Sequence, residues 1–195
     1  MLNKKVLIPI VAAVLVAFGV NLEQFGIDLN QLAGGGNTST APANQSASNT
    51  SSGSVAAYQP GNKWSNTRPA VNLHHVFEGE INRKGKPVGY HSRPGGQDAD
   101  GARIVSVRDK PNSVGVYTAN IEIRDGNQWK QKFSSFFPDS MSEQEVVDVI
   151  LRAYNNSSNK NKQPWQGASG LGFDVQGYTL SKGDINTAFP VYRRD

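Results

Sequence analysis

VYTANIEIRDGNQWKQKFSSFF, residues 116–137, decides the architecture. Its first half alternates. Tyr117, Ala119, Ile121 and Ile123 share one face, and Thr118, Asn120, Glu122 and Arg124 share the other, the two-residue period of a half-buried strand. Asp125-Gly126-Asn127 is a strong turn signal. A second strand over Trp129–Phe137 then puts Trp129, Phe133 and Phe137 on one face and Lys130, Lys132 and Ser134 on the opposite one. The stretch reads as an antiparallel hairpin.

Working outward, Pro138-Asp139 ends that strand, and Ser142 to Glu145 spells an S-x-x-E capping box. A helix follows to about Tyr154, with Val146, Val147, Ile150, Leu151 and Tyr154 at helical spacing. Asn155–Gln163 is a polar loop. Phe173–Leu180, a turn at Ser181–Asp184 and Ile185–Tyr192 make a last hairpin. Upstream, Ala102–Arg108 is short and β-branched. His74–Ile81 is β-like around Gly79, Asn82-Arg83-Lys84-Gly85 is a turn, and Pro87–His91 returns as a second strand. The sum is an α+β domain, an antiparallel sheet system with at least one helix packed on it. It occupies residues 63–195, an ordinary size for one core.

The first 62 residues are different in kind. Two lysines precede a 15-residue apolar run from Val6 to Val20, which is a targeting pattern. Residues 1–21 are therefore expected to be a signal peptide or a membrane-anchor helix. The small-x-small candidate Ala17-Phe18-Gly19 lies inside the apolar run, which favours an uncleaved anchor. Either way the lysines stay on the cytoplasmic side, so the remainder is exported, membrane-anchored or secreted. Residues 22–62 read as a flexible low-complexity linker; Ala33–Asn62 is uncharged and too poor in large apolar residues to bury a core.

The formal net charge is +4. Lys4, Lys5, Glu23 and Asp28 cancel within residues 1–62, so the whole excess sits on the domain, which suits a polyanionic partner. The chain has no cysteine, which excludes disulfides and thiolate zinc sites.

All three histidines of the chain, His74, His75 and His91, fall in one short window. Two converging imidazoles are the minimal equipment for metal-free RNA cleavage. One, neutral, removes the 2′-OH proton, and the other, protonated, donates to the leaving 5′-oxygen. A metal is the rival reading, with His74, His75, His91, Glu78 and Glu80 as possible ligands. In a strand, however, His74 and His75 point to opposite faces, and no H-E-x-x-H spacing is present. Histidines simply paired or solvated at a sheet edge are the third reading.

The motif H-V-F-E-G-E, followed sixteen residues after its histidine by His91 in Gly89-Tyr90-His91, resembles the EndoU endoribonuclease family. That family includes eukaryotic poly(U)-specific endoribonucleases, the coronavirus uridylate-specific endoribonuclease and bacterial toxin domains. Phe136-Phe137-Pro138 and Ile185-Asn186-Thr187-Ala188-Phe189-Pro190-Val191 extend the similarity over most of Asn72–Tyr192. The resemblance implies two antiparallel sheets with packed helices, an EndoU or RNase A-like arrangement. It also implies that His75 and His91 are the catalytic pair, the second as base and the first as acid. Thr187 falls where bacterial members place a catalytic threonine. Lys132, preferred over Lys130, takes the place of a third catalytic residue. Tyr192 is a candidate for base stacking, with Ser134 and Thr179 as further substrate-binding candidates. His74 is expected to be a dispensable surface neighbour.

The implied function is cleavage of single-stranded RNA, at uridines, leaving 2′,3′-cyclic phosphate and 5′-OH ends. No cofactor is expected; Mn²⁺, which some eukaryotic members need, is not invoked. The expected partners are the RNA substrate, a membrane tether through the N-terminal helix, and an inhibitor or immunity protein, with the domain a monomer. The alternative is a non-enzymatic exported binding module for RNA or an acidic cell-surface polymer.

Overall fold

The computed structural model describes residues 62–195; the expected leader and the linker through residue 61 lie outside them. Eight strands and one α-helix follow in order: β1 (Glu80–Ile81), β2 (Pro87–Val88), β3 (Ala102–Asp109), β4 (Tyr117–Asp125), β5 (Gln128–Phe136), α1 (Glu143–Asn156), β6 (Trp165–Ala168), β7 (Asp174–Thr179) and β8 (Ile185–Pro190). All strand pairings within the sheets are antiparallel. The expected pair of sheets is present as β3-β4-β5 and β6-β7-β8, and the small β1-β2 hairpin forms a third. Among the described residues one α-helix accompanies them, which meets the pattern's expectation of at least one, while the resemblance implied helices in the plural.

The β4–β5 hairpin closes through a two-residue loop, since Asp125 pairs with Gln128. Its first loop residue, Gly126, sits at φ 58°, a conformation that favours glycine and a loop type that matches strand twist. Helix α1 begins at the expected capping box: Ser142 Oγ accepts from Glu145 N–H, and Ser142 N–H donates to Glu145 Oε2 at 2.8 Å. Val146, Val147, Val149, Ile150 and Ala153 form its buried stripe.

Two sequence expectations fail for physical reasons. His74–Glu78 is a single π-helical turn, not a strand. Asn72 Oδ1 accepts the His75 N–H at 3.2 Å, Gly79 N–H donates to His74 O at 2.9 Å, and Gly79 at φ 72° ends the turn. A side-chain acceptor and one glycine thus override a β-like composition. Second, β5 is turned over. The expected apolar face leaves Phe133 48% exposed, while the face of Lys130, Lys132, Ser134 and Phe136 looks inward. Strand β6 went unanticipated, because WQGA is short and carries no alternation to read.

Two hydrophobic cores result. One joins the π-turn, α1 and the β6-β7-β8 sheet through Val76, Phe137, Ile150, Trp165 and Ile185. The other lies on the inner face of β3-β4-β5, with Tyr90, Ala119, Ile121, Ile123 and Phe136. Consecutive residues at the end of β5 point to opposite sides, so Phe136 enters the second core and Phe137 the first.

Candidate active site

The segment Gly89–His91 runs along the seam between the cores. Its backbone is fixed on both sides. Tyr90 N–H donates to His75 O at 2.8 Å, His91 N–H to Val76 O at 2.7 Å, and Phe137 N–H to His91 O at 2.9 Å. Gly89 is required for this approach, because a Cβ there would lie 2.2 Å from His75 O, and its φ is +77°. Tyr90 takes φ 62° without being glycine. Its strained backbone is anchored by its hydroxyl donating to Asp98 Oδ1 at 2.7 Å, and Asp98 is ion-paired in turn with Arg93, Nε to Oδ1 at 2.8 Å.

The π-turn and this segment bring His75 and His91 together, with ring centroids 6.4 Å apart. Both rings are buried. In each ring Nδ1 is engaged and Nε2 has no hydrogen-bond partner among the described residues. A buried polar atom left unpaired costs about 1–3 kcal/mol, so these two Nε2 atoms, on neighbouring rings, are the ring positions open to a further hydrogen bond.

The two imidazoles differ electrically. His75 Nδ1 lies 3.1 Å from Glu80 Oε1. Burial lowers its pKa, and the Glu80 hydrogen bond and charge push back upward. The same contact holds the Glu80 carboxyl down to about 2. His91 has no carboxylate; burial, then the Lys132 and His75 charges, push it well below the ordinary histidine range.

The tautomer of His91 follows from its neighbours. Ser134 O–H donates to Tyr90 O at 2.7 Å, so its oxygen can only accept from His91 Nδ1, 2.9 Å away. Ser135 O, 3.1 Å from the same Nδ1, is also an acceptor. The proton therefore sits on Nδ1, and Nε2 carries the lone pair.

Lys132 Nζ donates to Gly89 O at 2.8 Å and to Ser134 Oγ at 3.2 Å, so the expected lysine stands in the histidine cluster. Burial pulls its amine down to about 7. Lys130 is engaged elsewhere, with Asp125 and Gly85 O. Thr187 lies on β8, which packs against the π-turn. Its hydroxyl is buried with no partner among the described residues, and Phe189, two residues on and on the same strand face, packs on the His91 ring at 5.3 Å between centroids.

Of the remaining candidates, Ser134 touches the cluster and Thr179, Tyr192 and His74 make their contacts elsewhere. Ser134 is buried and fully committed to Tyr90, His91 and Lys132, so it orients the site rather than facing a substrate. Thr179 is bonded through both its hydroxyl and its N–H to the Gln163 amide. Tyr192 packs on the core around α1 and β6-β7-β8. His74 is half-buried and pairs with Glu78 at 2.9 Å. Among the described residues no three His, Cys, Asp or Glu side chains converge as a metal site would need, so the residues present do not fit Mn²⁺ and no step is derived through it. Sequence reasoning weighed Glu80 only as a metal ligand; its pairing with His75 needed the π-turn, which the letters did not reveal.

Comparison with known proteins agrees in extent with these elements. The family model described as bacterial EndoU nuclease matches residues 70–192. A Bacillus cereus protein named Toxin is 34% identical over 122 residues, which cover 60% of this chain and 22% of that protein. The match thus spans well under two thirds of the relative. No solved structure matches the chain.

Proposed function

The chain belongs to the bacterial EndoU nuclease family, and from that premise we infer that it is an endoribonuclease working by two-histidine acid–base catalysis. The observation that carries this reading is the pair of buried imidazoles whose Nε2 atoms alone are left unpaired, one beside a carboxylate and one without. His91 Nε2 takes the proton of the 2′-OH, and O2′ attacks the adjacent phosphorus. The developing charge is met by the Lys132 ammonium and the Thr187 hydroxyl. His75, whose contact with Glu80 opposes the burial that lowers its pKa, gives its Nε2 proton, when protonated, to the leaving 5′-oxygen. The products are a 2′,3′-cyclic phosphate and a 5′-OH. Single-stranded RNA, cut at uridines, is the substrate, and the chemistry needs no cofactor. DNA, without a 2′-OH, is spared.

The apolar run Val6–Val20 supports export, with the domain anchored outside the cytoplasm or secreted. The toxin relative supports an inhibitor or immunity protein as partner, and we take the domain to act as a monomer.

The test uses the full-length chain and a fluorogenic oligonucleotide with a single ribouridine, in EDTA. Cleavage is expected to be lost in His75→Ala and His91→Ala and kept in His74→Ala. Binding without cleavage under every metal condition would sink the proposal and leave the binding-module alternative.

A further inference from the structure

The loop over residues 92–101 takes no part in the chemistry above, yet it holds a polar cluster against the segment that carries His91. Arg93 is at its centre. Its side chain, 16% exposed, is ion-paired with Asp98 through Nε at 2.8 Å and with Asp139 through Nη1 at 3.5 Å. Nη1 also donates to the Tyr117 hydroxyl at 3.4 Å, and Nη2 donates to Gly96 O. The Tyr117 hydroxyl donates to Asp139 Oδ1 at 2.6 Å, and Gly95 N–H to Asp139 O at 2.8 Å. Ile104 N–H donates to Asp98 Oδ1 at 3.3 Å. The cluster ties the loop to β3, to β4 and to the junction of β5 and α1, and it fixes the Asp98 carboxylate.

Asp98 reaches the site through one bond. Its Oδ1 accepts the Tyr90 hydroxyl at 2.7 Å, and Tyr90 directly precedes His91. Tyr90 stands at φ 62°, a left-handed conformation that a bulky residue rarely adopts. Such strain persists only where the surroundings over-determine it. Tyr90 O takes the Ser134 hydroxyl proton at 2.7 Å, which leaves Ser134 Oγ to accept from His91 Nδ1. If the Tyr90 backbone relaxes, its carbonyl leaves Ser134. The freed hydroxyl then donates to Nδ1, and the ring proton moves to Nε2, the atom that must carry the lone pair. Against that change stands Ser135 O, the other acceptor at Nδ1.

We propose that Asp98, fixed by Arg93, is a positioning residue that keeps the lone pair of His91 on Nε2 by holding Tyr90 in its strained backbone. It touches neither imidazole and acts through Tyr90 O and Ser134. A clasp that only stabilised the fold would have no hold on the tautomer. The inference rests on His91 being the base of the two-histidine reaction.

The experiment uses the full-length chain as wild type, Tyr90→Phe, Asp98→Ala and Asp98→Asn. Cleavage of the single-ribouridine oligonucleotide gives kcat and KM. The chain has three histidines, so ¹⁵N-histidine labelling lets each ring be followed at about pH 8, above the ordinary histidine range. Backbone strain at the low end of its usual range corresponds to about tenfold in rate. Tyr90→Phe and Asp98→Ala should therefore lower kcat about tenfold with KM within about twofold. In both, His91 should show an Nε2–H form that the wild type lacks. Asp98→Asn keeps an oxygen for the Tyr90 hydroxyl and should recover most of the loss. The Asp98 side chain is 35% exposed, so its variants carry the test even where Tyr90→Phe fails to fold. Wild-type kcat in Asp98→Ala, an unchanged His91 tautomer there, or Asp98→Asn as slow as Asp98→Ala would overturn the proposal. If the wild type cuts no RNA, the catalytic reading fails, while an Nε2–H form appearing in Asp98→Ala still upholds the clasp.

Discussion

Replacing Glu80 by glutamine should move the pH profile of the enzyme without scaling it. Glu80 Oε1 lies 3.1 Å from the Nδ1 of a buried histidine, and the contact depresses the carboxyl from its ordinary 4.5 to about 2. Glutamine retains an oxygen that accepts the Nδ1–H bond and removes the charge. Hydrogen bonds to charged groups contribute about 1.5–3 kcal/mol and neutral ones about 0.5–1.5. The midpoints of these ranges differ by about 1.3 kcal/mol, close to one pKa unit. Burial already lowers His75, and with the carboxylate gone nothing comparable opposes it. The basic limb of kcat/KM, set by loss of the His75 proton, should therefore shift about one unit toward acid. At pH 7 the variant should be roughly tenfold slower, while below the wild-type maximum the curves converge. The acidic limb belongs to His91 and should stay in place. The assay is kcat/KM on the single-ribouridine substrate from pH 4.5 to 8, with the His75 ring followed by NMR titration. A uniform loss at every pH, or an unmoved basic limb, would refute the assignment of His75 as the acid.

Three further outcomes follow from the same geometry. Thr187→Val removes a buried hydroxyl that has no partner among the described residues, so stability should hold or rise by about 1 kcal/mol while kcat falls about 100-fold; urea denaturation and steady-state kinetics on one preparation check both halves. Gly89→Ala places a Cβ 2.2 Å from His75 O at φ +77°, and should cost about 2–4 kcal/mol in chemical denaturation. His75 and His91 both have lowered pKa values in the fold, so just below pH 6.5 the unfolded chain binds more protons than the folded one. Stability should then fall as pH drops from 7 to 5, by up to about 1.4 kcal/mol per unit for each histidine, and His91→Gln should reduce that slope. The depressed carboxyl of Glu80 adds stability that is present above 4.5 and lost toward about 2, so it leaves this window unchanged.

Local rules determined much of this protein. The alternation of Tyr117–Ile123, the Asp125-Gly126 turn and the Ser142–Glu145 box each act between neighbours in the chain, and each element formed where the letters placed it. The spacing of His75 and His91, and the G-Y-H that carries the second, was likewise legible. What the letters could not express was direction. The inward turn of Lys132 and Ser134 depends on a second core and on the Gly89–His91 segment lying across β5. No period-2 rule can rank a lysine face above a Trp129–Phe133 face without that partner. The π-turn likewise needed Asn72 to accept the His75 N–H, and only that turn carries Glu80 to His75. The sequence by itself determined the chemical groups and the strands and helix that bear them. Tertiary structure decided the electrical difference between the two imidazoles, because packing from distant parts of the chain buries both rings while only the π-turn brings a carboxylate, Glu80, against one of them.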